Sequence, residues 1–251
     1  MAGHSKFKNI MFRKGAQDKK RAKVFAKLGR EIQIATKSGG TDPNSNHRLR
    51  TAIDAAKAAN VPKDNIERAI KKASENDINN LEEIKYEGFG PGGTSLIVET
   101  MTDNKNRTIS EIRQIFSKNG GSIAENGSVS HNFKRKGELI YKENKNLESK
   151  IFDVAVEAGA DDIINEETNY NIYCDPNNII NIKEKISQLS IEPISVSLTW
   201  LSSNKIMVNN KEDGKKLFNL INQLEDNEDV QNISSNYDIS KEVFDTIDFN
   251  N

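Results

Sequence analysis

The spacing of the apolar residues changes near residue 80 of this 251-residue chain. Before that point, apolar residues recur at intervals of three and four, which places them along one side of an α-helix. After it, short strand-like segments alternate with longer segments of helical spacing. Because one type of secondary structure cannot satisfy both patterns, we expect a helical N-terminal third followed by α+β structure.

Three helices are predicted in the N-terminal third, joined closely enough to pack as a small bundle. The first runs over residues 18–37 and ends at Gly39-Gly40, since glycine favours helix C-termini. The second is predicted over 45–59, and the third begins near residue 64.

The first helix is predicted to have an apolar side and a cationic side. Its apolar stripe consists of Val24, Leu28, Ile32 and Ala35. Four basic residues fall within a sector of about 80° elsewhere on the helix, at 100° per residue. These residues, which we call the cationic ridge, are Lys20, Lys23, Lys27 and Arg30.

The rest of the chain predicts two sets of strands and helices. Residues 136–204 have the order β-α-β-β-α-β, which is that of a ferredoxin-like fold. The segments on either side each have the order β-α-β, so we expect one α+β domain inserted between the halves of another. The outer strands and helices are predicted at 94–101, 107–118, 128–133, 205–208, 211–224 and 230–237.

The predicted fold class is therefore multidomain α+β, with an N-terminal helical bundle and two α+β domains of ferredoxin-like order, one inserted in the other. The basic arm and bundle occupy residues 1–78. The outer α+β domain combines 81–135 with 205–240, and the inserted acidic α+β domain covers 136–204.

The net charge of -1 conceals two oppositely charged parts. Residues 1–75 contain 18 Lys and Arg against 7 Asp and Glu, whereas residues 76–251 contain 18 against 30. Charge segregation that serves only solubility is one explanation. However, residues 1–30 contain ten Lys and Arg and a single acid, Asp18, and solvated surfaces usually mix both signs. The asymmetry therefore favours a polyanion-binding segment attached to acidic domains.

We predict that the basic arm and the first helix contact nucleic-acid phosphates. Cations along one side of a helix match a row of phosphates, and counterion release supplies much of the binding free energy. No helix-turn-helix, zinc-finger or bZIP spacing is present, so no base readout is predicted. The predicted nucleic-acid-binding residues are Lys6, Lys8, Arg13, Lys14, Lys19, Lys20, Lys23, Lys27, Arg30, Arg48 and Arg50.

The motifs give no indication of catalysis, and we expect no enzyme, no cofactor and no small-molecule substrate. The three histidines, His4, His47 and His131, lack metal-ligand spacing. The glycine-rich stretch 88–93 lacks the Lys-Ser/Thr of a P-loop and precedes a strand, so it predicts a turn between domains.

The sequence also favours a cytoplasmic protein that does not bind a membrane. No run approaches 18 apolar residues. The basic N-terminus lacks the apolar core of a secretory signal. Cys174 is the only cysteine, which fits a reducing compartment.

The chain resembles the YebC/PmpR family of probable transcriptional regulators over nearly its whole length. The matching blocks occur in the family's order, although Phe7 and Met11-Phe12 depart from its usual residues. The blocks include MAGHSK (1–6), PKDNIERAI (62–70), YEGFGPGG (86–93), TDNKNRT (102–108), KNGG (118–121), LEDN (224–227) and DVQN (229–232).

This resemblance implies three domains, a cytoplasmic location and a function on nucleic acid. Family members are often described as DNA-binding, so the leading hypothesis is a regulator of transcription that binds duplex DNA. Other members resemble translational activators, so the alternative is a factor that binds ribosomal RNA and assists the synthesis of difficult peptide sequences. The acidic α+β domains are candidates for binding other proteins.

Overall fold

The structure is a computed structural model that describes residues 17–74, 81–166 and 168–244, with the backbone alone for residues 17–21 and 241. Within these residues the chain combines eight α-helices with two four-stranded sheets and one two-stranded sheet. No helix in the described part is both long and apolar enough to cross a bilayer.

The bundle helices are α1 (Gln17–Gly39), α2 (His47–Ala58) and α3 (Lys63–Ser74). The elements after them, in chain order, are β1 Glu82–Phe89, β2 Ser95–Thr102, α4 Lys105–Lys118, β3 Ser122–Ala124, β4 Phe133–Lys142, α5 Glu148–Glu157, β5 Ala160–Asn165, β6 Asn169–Cys174, α6 Ile179–Ser187, β7 Ser195–Ser202, β8 Ile206–Val208, α7 Lys211–Asp226, β9 Val230–Ser235, β10 Tyr237–Ile239 and α8 Lys241–Phe244.

The three predicted bundle helices are all present and share a small core. Four of its seven buried residues are alanines, whose short side chains allow close helix packing. The buried residues are Ile32, Ala35, Leu49, Ala52, Ala56, Ile66 and Ala69.

The corner between α1 and α2 is held by one side chain. Gly40 ends α1 with a left-handed φ of +87°, and its N–H donates to the Thr36 carbonyl at 2.8 Å. The Asn46 amide donates to the carbonyls of Ala35 (2.7 Å) and Gly40 (2.8 Å). Its oxygen accepts the Leu49 N–H at 3.0 Å, which caps α2.

The predicted stripe of α1 is wrong at its first position, because Val24 is 37% exposed. The contacts of α1 with the bundle core begin at Leu28, so the turns before it lie beyond the core. Conversely, Ile34 falls in the same sector as Lys27 and Arg30 and is buried. The cationic ridge therefore ends at Arg30.

A four-stranded sheet with the order β3-β1-β2-β9 organises the outer α+β segments. Its neighbouring strands are all antiparallel. On one face, Leu96 and Val98 of β2 pack with Phe116 of α4 and Leu220 of α7. On the other, Ile97 packs in a smaller cluster with Val129, Phe133 and Trp200.

This sheet differs from the predicted ferredoxin-like order in one strand. In that order β8 would lie between β3 and β2, but β1 holds this position. β8 instead pairs in parallel with β10 in a separate two-stranded sheet. The predicted strand 128–133 is also wrong: residues 126–129 form a turn, Ser130–Asn132 is a 3-10 turn, and β4 begins only at Phe133.

The glycine-rich stretch forms a turn, but the turn lies within one sheet and not between domains. β1 includes Gly88 and Phe89, and the chain then reverses into β2. Gly92 and Gly93 adopt φ values of +71° and +76°, which glycine tolerates without strain.

The inserted segment has the predicted β-α-β-β-α-β order, from β4 to β7. Its strands are arranged as β5-β6-β4-β7, in which the first and third strands lie at the centre as in a ferredoxin-like sheet. Leu139, Tyr141 and Ile172 point to one face, where they pack with Ile151 of α5 and Ile182 of α6.

The chain divides into two compact units. Among the described residues, the first unit contains those of 18–74 and 135–199, and the second contains Gln17 and those of 81–134 and 200–244. Within the first unit, Lys183 of α6 forms an ion pair with Asp54 of α2 at 3.0 Å. The division into three domains, with the helical bundle separate from the inserted segment, stays a prediction.

Candidate nucleic-acid interface

The cationic ridge lies on the N-terminal half of α1. Lys23 is exposed, and Lys27 and Arg30 are half-exposed. Lys19 and Lys20 belong to the same helix, in the part described by its backbone alone. Lys6, Lys8, Arg13 and Lys14 of the predicted arm lie outside the described residues.

The two predicted arginines of α2 have partners within the bundle. Arg48 donates to both carboxylate oxygens of Glu31 on α1, at 2.8 and 3.3 Å. Arg50 donates to the carbonyls of Pro43 and Asn44, both at 3.0 Å. These contacts fix the loop and the α1–α2 packing, so a phosphate would compete with them.

A groove of about 330 Å³, which we call the α1–α3 groove, runs between the first and third helices. Its apolar lining includes the buried Ile32 and Ile66 and the half-buried Phe25 and Val61. Gln33 and Asn65 contribute the side-chain amides.

Three cations line the same groove: Arg30 from α1, and Arg68 and Lys72 from α3. Arg68 and Lys72 are exposed and lie four residues apart, on one side of α3. Among the described residues that line the groove, there is no Asp or Glu. The groove thus combines an apolar lining with a positively charged rim, which suits an anion attached to an apolar group.

The sequence predicted that Arg68, Lys71 and Lys72 point outward, and all three are exposed. It did not place them among the binding residues. Their spacing shows which side of α3 they occupy, but the proximity of that side to α1 depends on how the two helices pack. Helix pairing is therefore the signal that would have found Arg68 and Lys72.

Glu87 and Asp229, two buried carboxylates with lowered pKa values, belong to the second unit and stabilise its fold. Burial raises the pKa of Glu87, but hydrogen bonds to its carboxylate outweigh this effect and lower the pKa to about 2. The donors are the Val129 N–H, the Lys85 ammonium and the N–H groups of Gly127 and Ser130. Val129 and Ser130 donate at 2.9 Å, and Lys85 lies 2.9 Å from the other oxygen.

Asp229 has a comparable set of donors. Burial raises its pKa, but Arg107, Thr108 and Thr102 lower it below its usual value. Arg107 donates at 2.9 Å and Thr108 at 2.7 Å, which joins the start of α4 to the start of β9. No group of three or more His, Cys, Asp or Glu in the described part of the chain could hold a metal ion.

Comparisons with known proteins cover almost the whole sequence. The family model "TACO1/YebC protein N-terminal domain" matches residues 5–76, and "TACO1/YebC second and third domain" matches residues 81–237. A probable transcriptional regulatory protein of Zymomonas mobilis is 49% identical over 247 residues, which cover 98% of this chain and 99% of that protein.

A solved structure has the same fold. The crystal structure of a conserved hypothetical protein from Aquifex aeolicus aligns with a TM-score of 0.82 and 40% sequence identity, over 88% of this chain and 91% of that one. Since both family models match in the expected order and the regulatory relative is similar from end to end, the chain belongs to the TACO1/YebC family.

Proposed function

We propose that this protein is a DNA-binding regulator of transcription whose helical bundle contacts phosphates through the cationic ridge and the rim of the α1–α3 groove. The observation that carries the proposal is the convergence of Arg30, Arg68 and Lys72 on one groove that no described carboxylate lines. The regulatory name of the Zymomonas mobilis relative supports the same function.

The chemistry of the interface suits phosphates better than bases. Lys and Arg on a helix surface displace condensed counterions from a nucleic acid, and this contribution depends little on sequence. No element of the described bundle has the spacing of a base-reading motif. The residues after 75 carry a net negative charge, so DNA is expected to contact the bundle and not the acidic segments.

The test is the salt dependence of binding by the full chain. We expect the triple variant Lys23→Gln, Lys27→Gln, Arg30→Gln to bind a random duplex DNA more weakly. Each lost phosphate contact makes the negative slope of log K against log salt shallower by about 0.9, so its magnitude should fall by up to about 2.7. Fluorescence anisotropy between 50 and 200 mM salt, roughly the range over which such contacts are resolved, provides the measurement.

A matched control removes three exposed lysines from the second unit: Lys118→Gln, Lys211→Gln and Lys215→Gln. Since the net charge falls equally in both variants, only a local contact distinguishes them. The proposal would be contradicted if the triple variant of the cationic ridge, which we call the ridge variant, kept the salt slope of the unmodified chain. It would also be contradicted if both variants lost the same affinity for DNA. Much tighter binding to ribosomal RNA than to duplex DNA at equal salt would instead favour the translational function.

A further inference from the structure

Gly29 occupies an unfavourable position that the fold does not explain. It lies in the middle of the 23-residue α1, where glycine is the least favourable residue after proline. A helical glycine is usually retained because a neighbour comes too close for a side chain. This applies to Gly39, where a Cβ would lie 2.7 Å from the Asn46 side chain. At Gly29, a Cβ would meet no described atom within 4 Å beyond its chain neighbours and the adjacent backbone of its own helix.

The space above Gly29 belongs to the α1–α3 groove. Phe25 lies one turn before Gly29 and Gln33 one turn after it, so all three lie on the same side of α1. Because Gly29 has no side chain, its backbone is uncovered between the ring of Phe25 and the side-chain amide of Gln33. Arg30 and the two cations of α3 line the same groove.

We propose that the α1–α3 groove binds one unpaired nucleotide of a single-stranded nucleic acid. The base stacks against the Phe25 ring in the space over Gly29, and the flanking phosphates contact Arg30, Arg68 and Lys72. This inference rests on the proposed function, because it assumes that the same face binds nucleic acid. The groove volume of about 330 Å³ is at the lower end of the range for small-molecule sites, about 300–1,000 Å³, so it accommodates one nucleotide.

The shape and chemistry of the groove favour a nucleotide over a peptide. A base is a flat ring with hydrogen-bonding edges, which suits a bare backbone strip with Gln33 and Asn65 nearby. Each nucleotide within a strand is flanked by two phosphates, which matches several cations around one apolar site. A peptide that combines apolar and acidic side chains is the competing occupant.

The experiment compares two oligonucleotides that carry the same phosphates. One is an eight-residue oligo-dT, and the other has the same backbone with abasic residues throughout. Because both displace the same counterions, a difference in affinity reports contact with the bases. Stacking of a base on a protein ring changes affinity by about 5- to 140-fold, and we expect the full chain to prefer oligo-dT by a factor in this range.

Gly29→Leu fills the groove without changing the charge. We expect it to reduce the affinity for oligo-dT to that for the abasic strand, while the abasic affinity and its salt slope stay unchanged. Because leucine favours helices, resistance to urea should be equal or greater, which separates lost binding from lost folding. Ser38→Leu, at an exposed position of α1 outside the groove, is the control. Phe25→Leu, which removes the ring alone, should lose part of the preference.

Equal affinity of the unmodified chain for the two strands would overturn the inference, and so would a full preference for oligo-dT in Gly29→Leu. If Gly29→Leu kept the preference for oligo-dT but no longer bound a Glu-Leu repeat peptide that the unmodified chain binds, the groove would be assigned to a peptide. The proposed function fails separately, through an unchanged salt slope in the ridge variant.

Discussion

At the scale of single residues, one glycine within the first helix and one directly after it have opposite roles. Gly40 has a left-handed φ of +87°, which a residue with a Cβ adopts only at a cost. Gly29 lies within the helix, does not have a left-handed φ and has open space above it. Only Gly40 is therefore required by the backbone of the bundle.

The same substitution should have opposite effects at these two positions. Gly29→Ala should raise the free energy of unfolding by about 0.5–1 kcal/mol, because alanine favours the helix and its methyl group meets no neighbour. Gly40→Ala should lower it by about 1 kcal/mol, because the left-handed conformation crowds the Cβ. Urea denaturation of the two variants provides the comparison, and a loss of stability in Gly29→Ala would mean that the space above it is occupied.

Glu87 should make folding sensitive to acid. Its pKa is lowered from 4.5 to about 2 in the folded chain. The unfolded chain therefore binds this proton first, so the stabilisation is present above about pH 4.5 and is lost as the pH falls towards 2. The contribution at neutral pH is up to about 3 kcal/mol.

Glu87→Gln removes the titrating group and should flatten this dependence. We expect the stability difference between the original chain and the variant to shrink steadily between about pH 5 and pH 2.5, as measured by thermal unfolding. Glu157→Gln, at an exposed glutamate, is the matched control and should follow the original chain. A difference that stays constant with pH would show that the Glu87 charge is not what stabilises the fold.

At the scale of helices and strands, periodicity predicted the three helices of the bundle and the whole order of the inserted segment. It missed β1, because this strand carries a buried charge at Glu87 and a glycine at Gly88 that disguise its alternation. It wrongly predicted a strand at 128–133, where Val129 is buried from a turn and only Phe133 belongs to a strand. Local patterns do not distinguish these cases, since long-range packing decides them.

In the candidate interface too, local sequence patterns predict only what lies on a single helix. The cationic ridge follows from spacing on one helix, so the sequence predicts Lys23, Lys27 and Arg30 together. The α1–α3 groove requires the pairing of helices that are separated by α2, and no local pattern specifies it. Likewise, the ion pair of Arg48 with Glu31 depends on the packing of α1 against α2.

Asn46 should contribute more to stability than an ordinary helix cap. Asn46→Ala removes the cap of α2 and two further hydrogen bonds, a buried one to Ala35 and a partly buried one to Gly40. We expect a loss of about 2–3 kcal/mol. Ser45→Ala changes the preceding, exposed residue and should cost less than about 0.5 kcal/mol. Chemical denaturation measures both, and a similar small loss in the two variants would show that Asn46 does not hold the corner.

At the scale of the whole molecule, the compact units do not follow chain order. The helical bundle shares the first unit with the inserted segment, although residues 80–134 lie between them in sequence. Lys183 and Asp54, which join the two segments, have side chains that are only 18% and 15% exposed. An ion pair shielded from water in this way should be stronger than a surface pair.

A double-mutant cycle can measure this connection. We expect Asp54→Asn and Lys183→Met to show a coupling free energy of about 1–2 kcal/mol in the unfolding of the full chain. The pair of Lys63 and Glu67 within α3, with exposures of 85% and 61%, is the control and should couple by no more than about 0.5 kcal/mol. Equal coupling in the two cycles would show that the Lys183–Asp54 pair does not bind the bundle to the insert.

The discontinuous sheet also sets an order of assembly during synthesis. Leu96 of β2 pairs with Ser235 of β9, so this sheet lacks its fourth strand until residues 230–235 have left the ribosome. The four strands of the insert come from one continuous stretch, from β4 to β7. Synthesis from the N-terminus therefore completes the sheet of the insert first. The edge of β2 that contains Leu96 stays unpaired until β9 has been synthesised.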